Sequence, residues 1–208
     1  MNSALAQLAT ASLLFIGALG ATPPQTAPAS ERIVLAGGCF WGMQAVFQRL
    51  IGVQNTVVGY AGGSAKSAHY EIVSTGRTRQ AESVEITFNP RIISLRQLFA
   101  VYFTVAHNPT ELNYQGPDSG TQYRSEIFYT TAHQHAVALA TIAALVKSRR
   151  FSAPIVTKVA PLAAFYPAEA YHQNFERKHP NDPYIVEVDL PKLRELAQRF
   201  PQLLARHR

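Results

Sequence analysis

Hydrophobic and polar residues alternate along this chain with two different periods, which divide it into predicted strands and helices. Residues 32–36 form a short apolar, β-branched run that ends at two glycines. The next segment has apolar residues at the i, i+3, i+4 and i+7 spacing of one helix face. Residues 53–60 return to a strand-like pattern, and residues 82–88 alternate strictly. The helical positions are Met43, Val46, Phe47 and Leu50.

The second half of the chain continues this alternation of strands and helices. Ser94 with Gln97, and Thr131 with Gln134, have the spacing of capping boxes at helix starts. Residues 108–122 are rich in turn-forming residues and too long for a simple connector, which is typical of a functional loop. Alternating strands and helices predict a layered α/β domain. Further strands are predicted at 123–130 and 154–162, and further helices at 167–179 and 191–200.

The first thirty residues differ from the rest of the chain. No charged residue precedes Glu31, and residues 8–21 are apolar and small. A Pro, Ala and Thr stretch follows and reads as a linker. We therefore predict a signal-like or anchor segment with its linker over residues 1–30 and a single domain over residues 31–208. The protein would then be exported, periplasmic or membrane-anchored; without a working signal it would stay cytoplasmic.

Composition and charge exclude several classes of function. The 208 residues carry a net charge of +6, but no dense Lys/Arg run or recognition motif accompanies it, so we expect no nucleic-acid partner. One cysteine excludes an internal disulfide and a multi-cysteine zinc site. The seven histidines show no metal-binding grouping. The glycine-rich phosphate loops of nucleotide-binding proteins are absent.

The single cysteine, Cys39, lies where a predicted strand becomes a helix. A helix start offers free backbone N–H groups and the positive end of the helix dipole, which favour the nucleophilic thiolate. Gly37 and Gly38 before it allow a tight turn and the approach of a substrate. The alternative is a small, inert residue of the core.

A carboxyl group and two phenols could complete a site around this sulfur. Glu82 shares strand parity with core-facing residues, and a buried carboxyl group has a raised pKa suited to a general acid. Tyr60 and Tyr123 flank flexible turns and could donate hydrogen bonds to a reacting oxygen, while Asp118 lies in the long polar loop. The alternatives are a strand-end carboxylate in solvent, core tyrosines and a turn-capping aspartate.

Several segments together resemble the A-type peptide methionine-sulfoxide reductases. The resemblance covers residues 32–175 and rests on the motifs "GGCFWG", "GYAGG", "YEIVSTGRTRQAESVEITF", "HNPTELNYQGPDSGTQYRS" and "FYPAEAYHQNF". It implies a two-layer α/β sandwich of ferredoxin-like plan with a mixed sheet. It also implies thiol-dependent reduction of the S epimer of methionine sulfoxide, free or in proteins.

The resemblance also implies roles for individual residues. The matching positions imply that Cys39 is the nucleophile and Glu82 the proton donor. Tyr60 and Tyr123 would bind the sulfoxide oxygen, and Asp118 would assist binding and recycling. Phe40 and Trp41 would hold the methyl group of the substrate. Cys39 would become a sulfenic acid that a thiol must reduce.

The chain departs from many such relatives because its C-terminal segment has no resolving cysteine. We therefore expect recycling by an external thiol, such as thioredoxin, glutaredoxin with glutathione, or dithiothreitol, with no other cofactor, in a monomeric protein. Gln80 and Asn108 stand where relatives often have histidine and aspartate, and we expect retuned binding there. Two alternatives are a different single-cysteine thiol peroxidase and a non-catalytic module that binds sulfoxide peptides.

Overall fold

The alternating segments pair into one mixed six-stranded sheet. The computed structural model describes residues 29–205, in which the sheet order is β7-β6-β1-β3-β2-β8. All neighbouring strands are antiparallel except β6 and β7, which are parallel. The long polar loop contains a separate two-stranded ribbon of β4 and β5. The strands are β1 (Glu31–Ala36), β2 (Val53–Ala61), β3 (Ala81–Phe88), β4 (Tyr114–Gln115), β5 (Asp118–Ser119), β6 (Glu126–Tyr129), β7 (Lys158–Pro161) and β8 (Phe165–Pro167).

The helices connect these strands and pack against the sheet. Two of them are extended by one π-helical segment each: Tyr102–Ala106 follows the third helix, and Ile185–Asp189 precedes the last. The helices are α1 (Phe40–Phe47), α2 (Tyr70–Val73), α3 (Leu95–Val101), α4 (Ala132–Lys147), α5 (Phe175–Lys178) and α6 (Leu190–Arg199).

The topology confirms the predicted two-layer α/β sandwich of ferredoxin-like plan. The order β1-α1-β2-β3-α3-β6 along the chain, with the sheet order β6-β1-β3-β2, is that of a split βαβ fold. One face of the sheet shares its core with α1, α3 and α4. The other face carries a smaller apolar cluster around Val34 and Phe128. The alternation of side chains along the strands therefore divides the apolar residues into a large, helix-covered core on one face and a small cluster on the other.

Helix starts follow the capping residues that the sequence offers. The Ser94 hydroxyl accepts a hydrogen bond from the Gln97 N–H, and the Gln97 side chain accepts one from the Ser94 N–H, which completes the capping box of α3. Thr131 caps α4 by accepting from the Gln134 N–H. These side chains satisfy N–H groups that a helix start leaves unpaired.

The helix predicted over residues 167–179 is wrong for most of its length. Residues 165–167 form the edge strand β8, and only Phe175–Lys178 is helical. Asn174 adopts a left-handed conformation with φ of 57°. The Gln173 side chain also accepts from the Val58 N–H at 3.0 Å and donates to the Val58 carbonyl at 2.9 Å. These contacts to β2 stabilise a folded loop that amphipathic spacing alone does not predict.

The predicted signal or anchor segment falls almost entirely outside the described residues. Nothing in residues 29–205 therefore bears on it. Within that range, no helix combines the length and hydrophobicity that a membrane crossing requires.

Candidate active site

Cys39 occupies the junction between β1 and α1 and is the N-cap residue of α1. Gly38 has φ of 92°, and a Cβ there would lie 2.8 Å from the Gln115 side chain. A Cβ on Gly37 would lie 2.8 Å from the His107 ring. Gly38 is therefore required by its left-handed backbone and Gly37 by the close approach of the His107 ring. Cys39 itself is 8% exposed.

The sulfur opens into a cavity of about 170 Å³ at the end of the sheet. A larger depression of about 420 Å³ lies beside the Arg32–Glu85 ion pair. That depression holds no sulfur nucleophile, because Cys39 is the only cysteine of the chain. The smaller cavity is lined by Cys39, Phe40, Trp41, Tyr70, Glu82, Asp118, Tyr123 and Tyr184.

Glu82, the second residue of β3, faces this cavity as its strand parity predicts. It is 2% exposed, and its Oε2 accepts a hydrogen bond from the Phe40 N–H at 3.1 Å. Burial raises the pKa of Glu82 to about 8, and the nearby Asp118 charge adds to this effect against the Phe40 N–H. The carboxyl group therefore holds a proton at neutral pH, as a general acid requires.

The surroundings of the sulfur oppose the expectation that the helix start favours the Cys39 thiolate. Burial raises the pKa of the thiol well above its ordinary value, and the charges of Glu82 and Asp189 raise it further. The Trp41 N–H and Lys192 lower it to a smaller extent. Desolvation outweighs the helix N-terminus here, because a buried anion loses its hydration.

Three phenols line the cavity, and Tyr60, which the sequence favoured, is not among them. Tyr123 lies there as predicted, together with Tyr70 from the start of α2. Burial raises the pKa of both hydroxyls, so both are hydrogen-bond donors. Tyr60 is fully buried outside the cavity lining, and its hydroxyl donates to Glu169 Oε2 at 2.9 Å. Its predicted contact with a substrate oxygen is therefore corrected to a supporting role behind Phe40.

The same Glu169 explains why Tyr70 reaches the cavity. Its other carboxylate oxygen accepts from the Tyr70 N–H at 3.0 Å, at the start of α2. The Glu169 carboxylate thus fixes the positions of both Tyr60 and Tyr70. In the sequence, Tyr70 opens the motif "YEIVSTGRTRQAESVEITF", but nothing singles it out among the nine tyrosines of the chain.

Asp118 lies at the cavity edge and is bound by a second residue that the sequence did not indicate. The Tyr184 hydroxyl donates a short hydrogen bond to Asp118 Oδ2. Burial raises the pKa of Asp118, whereas the Tyr184 hydrogen bond and the Lys192 charge oppose that rise. Tyr184 joins the site from the segment before α6, 66 residues from Asp118.

Aromatic rings form an apolar wall, with Phe40 and Trp41 placed as predicted. Trp41 stacks on Phe175 with centroids 3.7 Å apart, and its Nε1 donates to His172 Nδ1 at 3.1 Å. His172 is buried, and burial lowers its pKa, so it is a neutral acceptor. The ring contact and the hydrogen bond together fix the Trp41 orientation.

Gln80 and Asn108 support turns and do not line the cavity. Gln80 accepts from the Gly63 N–H at 3.2 Å and donates to the Ser64 carbonyl at 2.8 Å. Asn108 Oδ1 accepts from the Thr110 N–H. Any effect of these residues on binding has to pass through those turns.

The site contains no arrangement for a metal ion. Across residues 29–205, no three His, Cys, Asp or Glu side chains come close enough together to hold one.

Comparison with known proteins agrees with the chemistry of this cavity. Residues 31–203 match the family model described as peptide methionine sulfoxide reductase. Peptide methionine sulfoxide reductase MsrA 2 of Mesorhizobium japonicum is 54% identical over 179 residues, which cover 86% of this chain and 92% of that protein. MsrA 2 of Synechocystis is 46% identical, over 86% of this chain and 84% of that protein.

Solved structures have the same fold. The reduced form of Mxr1 from Saccharomyces cerevisiae superposes with a TM-score of 0.70 at 33% identity, over 74% of this chain and 88% of that one. Methionine sulfoxide reductase A of Corynebacterium diphtheriae gives a TM-score of 0.64 at 32% identity, over 76% of this chain and 78% of that one.

Proposed function

The chain belongs to the peptide methionine sulfoxide reductase family, and on that basis we propose how its residues perform the reaction. It is an oxidoreductase that reduces methionine sulfoxide to methionine. Our proposal concerns the S epimer, free or in proteins, with Cys39 as nucleophile. One observation carries it: the only sulfur nucleophile shares a small cavity with a protonated carboxyl group and three phenols.

The first step transfers oxygen from the substrate to Cys39. The Cys39 sulfur attacks the sulfoxide sulfur while Glu82 protonates the sulfoxide oxygen. The thiol proton of Cys39 replaces the one that Glu82 gives up. Cys39 then takes the oxygen as methionine leaves, so one thiol and one sulfoxide give one sulfenic acid and one thioether.

The surrounding side chains stabilise this step. The Tyr70 and Tyr123 hydroxyls donate to the sulfoxide oxygen, where negative charge is concentrated before protonation. Phe40 and Trp41 accept the methyl group against their rings. An oxygen subsite on one side and a methyl subsite on the other discriminate between the two epimers, because exchanging them would bury the oxygen against carbon.

Recycling requires a thiol from another molecule. A first thiol displaces water from the sulfenic acid and forms a mixed disulfide with Cys39; a second thiol then releases Cys39. Asp118 is placed at the cavity edge to assist the incoming thiol. The yeast relative Mxr1 has been solved in complex with Trx2, which makes thioredoxin a reductant to test beside glutaredoxin with glutathione.

Turnover of separate epimers tests this function. The protein is incubated with each epimer of methionine sulfoxide and dithiothreitol, and methionine is measured. We expect turnover of the S epimer only and none with C39S. Equal turnover of both epimers, or activity that survives in C39S, would refute the proposal. Hydrogen peroxide as substrate distinguishes a thiol peroxidase, and sulfoxide binding without turnover identifies a binding module.

A further inference from the structure

The start of α6 lies directly against the first turn of α1. Gly42, the third residue of α1, has no side chain at the point of contact. A Cβ there would collide with the carboxylate of Asp189 and lie 2.9 Å from Lys192 Nζ. The missing Cβ therefore lets a carboxylate and an ammonium group approach the backbone of this turn.

Gly42 and Cys39 belong to the same first turn of α1. Cys39 is the N-cap of α1, so its side chain lies at the first turn of this helix. Residues three apart on a helix are also surface neighbours. The Trp41 N–H, which lowers the pKa of Cys39, belongs to the second helical residue, and Gly42 is the third. Lys192 therefore approaches the same helix turn that Cys39 caps, and its charge acts on the sulfur.

The contribution of the Asp189–Lys192 ion pair to stability does not explain why Asp189 is buried. Lys192 Nζ lies 3.2 Å from Asp189 Oδ1, with the two side chains 20% and 0% exposed. Asp189 Oδ2 is buried and has no hydrogen-bond partner within residues 29–205. Burying a carboxylate with an unpaired oxygen costs free energy that one ion pair rarely recovers. The arrangement therefore suggests a role in the chemistry of its neighbour.

The charges around this pair come from several elements. Asp189 faces Lys192, Asp118 and Glu176, and burial raises its pKa to about 6. Glu176 is itself paired with Arg49 at 2.9 Å.

The Cys39 sulfur faces mainly acidic and neutral groups. Glu82 and Asp189 raise the pKa of its thiol, and Lys192 is the cationic side chain that lowers it. The nearby His107 is neutral, because burial lowers its pKa to about 3. The cavity phenols Tyr70, Tyr123 and Tyr184 also interact electrostatically with this sulfur.

We propose that Lys192, held against α1 by Asp189, is a positioning residue that stabilises negative charge on the Cys39 sulfur. This inference rests on the proposed role of Cys39 as nucleophile. The charge develops twice in a cycle: when the sulfur attacks the sulfoxide, and when the second external thiol breaks the mixed disulfide. In that second step the electron pair of the S–S bond stays on Cys39, which leaves as a thiolate and is then protonated.

The single cysteine makes this proposal directly measurable. Alkylation of the reduced full-length protein by iodoacetamide reports on Cys39 alone, and its rate follows the thiolate fraction. We would compare the pH profiles of the unaltered protein, K192M, K192R and R194M. Arg194 is an exposed cation on the same helix and serves as the matched control.

We expect alkylation of K192M at pH 7 to slow by roughly tenfold, since a neighbouring opposite charge changes an ionisation equilibrium by that factor or more. K192R should retain most of the rate, and R194M should match the unaltered protein. Identical profiles for K192M and R194M would overturn the proposal. An equal loss in K192M and K192R would also overturn it, because charge would then not be the cause.

Two further measurements keep the result interpretable. Circular dichroism checks that each variant folds, and K192Q replaces K192M should the latter fail to fold. The sulfoxide assay on C39S tests the proposed function separately, because alkylation requires no turnover. A failure of the Lys192 proposal is therefore distinguishable from a failure of Cys39 as nucleophile.

Discussion

At the residue scale, the chemistry of Glu82 was predictable and that of the phenols was only partly so. Strand parity is a local property, and it placed Glu82 in apolar surroundings correctly. Tyr60 was favoured because it flanks a flexible turn, and the structure pairs it with Glu82 across the sheet. The choice between Tyr60 and Tyr70 depends on Glu169, which is 99 residues from Tyr70. A contact over that separation has no periodicity to reveal it.

Replacing Glu82 by glutamine should slow methionine release by about 10²–10⁴-fold, the range typical of general acids. Because burial raises the pKa of Glu82 to about 8, the unaltered protein should keep its acid below that pH and lose rate as pH rises through it. Single-turnover methionine release across pH 6–10 measures both effects. E85Q is the matched control, since Glu85 has the opposite parity and pairs with Arg32. Equal losses in E82Q and E85Q would count against the assignment.

Phenylalanine substitutions should separate the two tyrosines. Y70F should lower the single-turnover rate by on the order of 10²-fold, because it removes a donor to the reacting oxygen. Y60F should leave that rate nearly unchanged and reduce the free energy of unfolding by about 1 kcal/mol through the lost Glu169 hydrogen bond. Rapid-quench kinetics and urea unfolding provide the two readouts. A larger rate loss in Y60F than in Y70F would reverse the assignment.

At the scale of elements, local periodicity predicted the main strands and helices but not the segment after β8. The helix predicted over 167–179 failed because Gln173 binds β2 and Asn174 takes a left-handed conformation. His172, which orients Trp41, lies in this same segment. Tyr184 and Lys192 likewise reach the site from the C-terminal elements. The parts of the site that the sequence did not reveal are thus those brought in by long-range packing.

Substituting Gly42 by alanine tests the contact between α1 and α6. Alanine favours a helix more than glycine does, yet its Cβ would collide with the Asp189 carboxylate. We expect a net loss of about 1–3 kcal/mol in the free energy of unfolding, as for other overpacked sites, measured by urea denaturation. Slower alkylation of Cys39 should accompany it as Lys192 is displaced. A stability equal to or above that of the unaltered protein would show that α6 does not rest on this turn.

At the scale of the whole molecule, the catalytic domain can be considered apart from the N-terminal segment. The family match begins at residue 31, where β1 also begins. The fold class followed from the order of elements together with the motifs. The edge strands β7 and β8 extend the ferredoxin-like sheet. Local sequence pattern predicts neither the number of strands in this sheet nor the parallel pairing of β6 with β7. We retain export or anchoring by residues 1–30, and a monomeric state, as proposals.

Removing residues 1–28 should leave kcat for methionine sulfoxide within about twofold, since within residues 29–205 no cavity residue precedes Cys39. Activity and thermal unfolding of the shortened protein check this expectation, and size-exclusion chromatography with light scattering checks for a monomer. Intact mass of the protein purified from its native host reveals whether the leader is cleaved. Loss of activity on truncation would assign the segment to the catalytic unit.

The depth of the cavity has a consequence for which damaged proteins can be repaired. A space of about 170 Å³ beside Cys39, a residue that is 8% exposed, admits one thioether side chain and little of the backbone behind it. An oxidised methionine inside a well-packed neighbour can enter only after its own segment has opened. Repair is therefore coupled to the local unfolding of the client, and oxidised sites should be restored fastest where the damaged protein is already loosest.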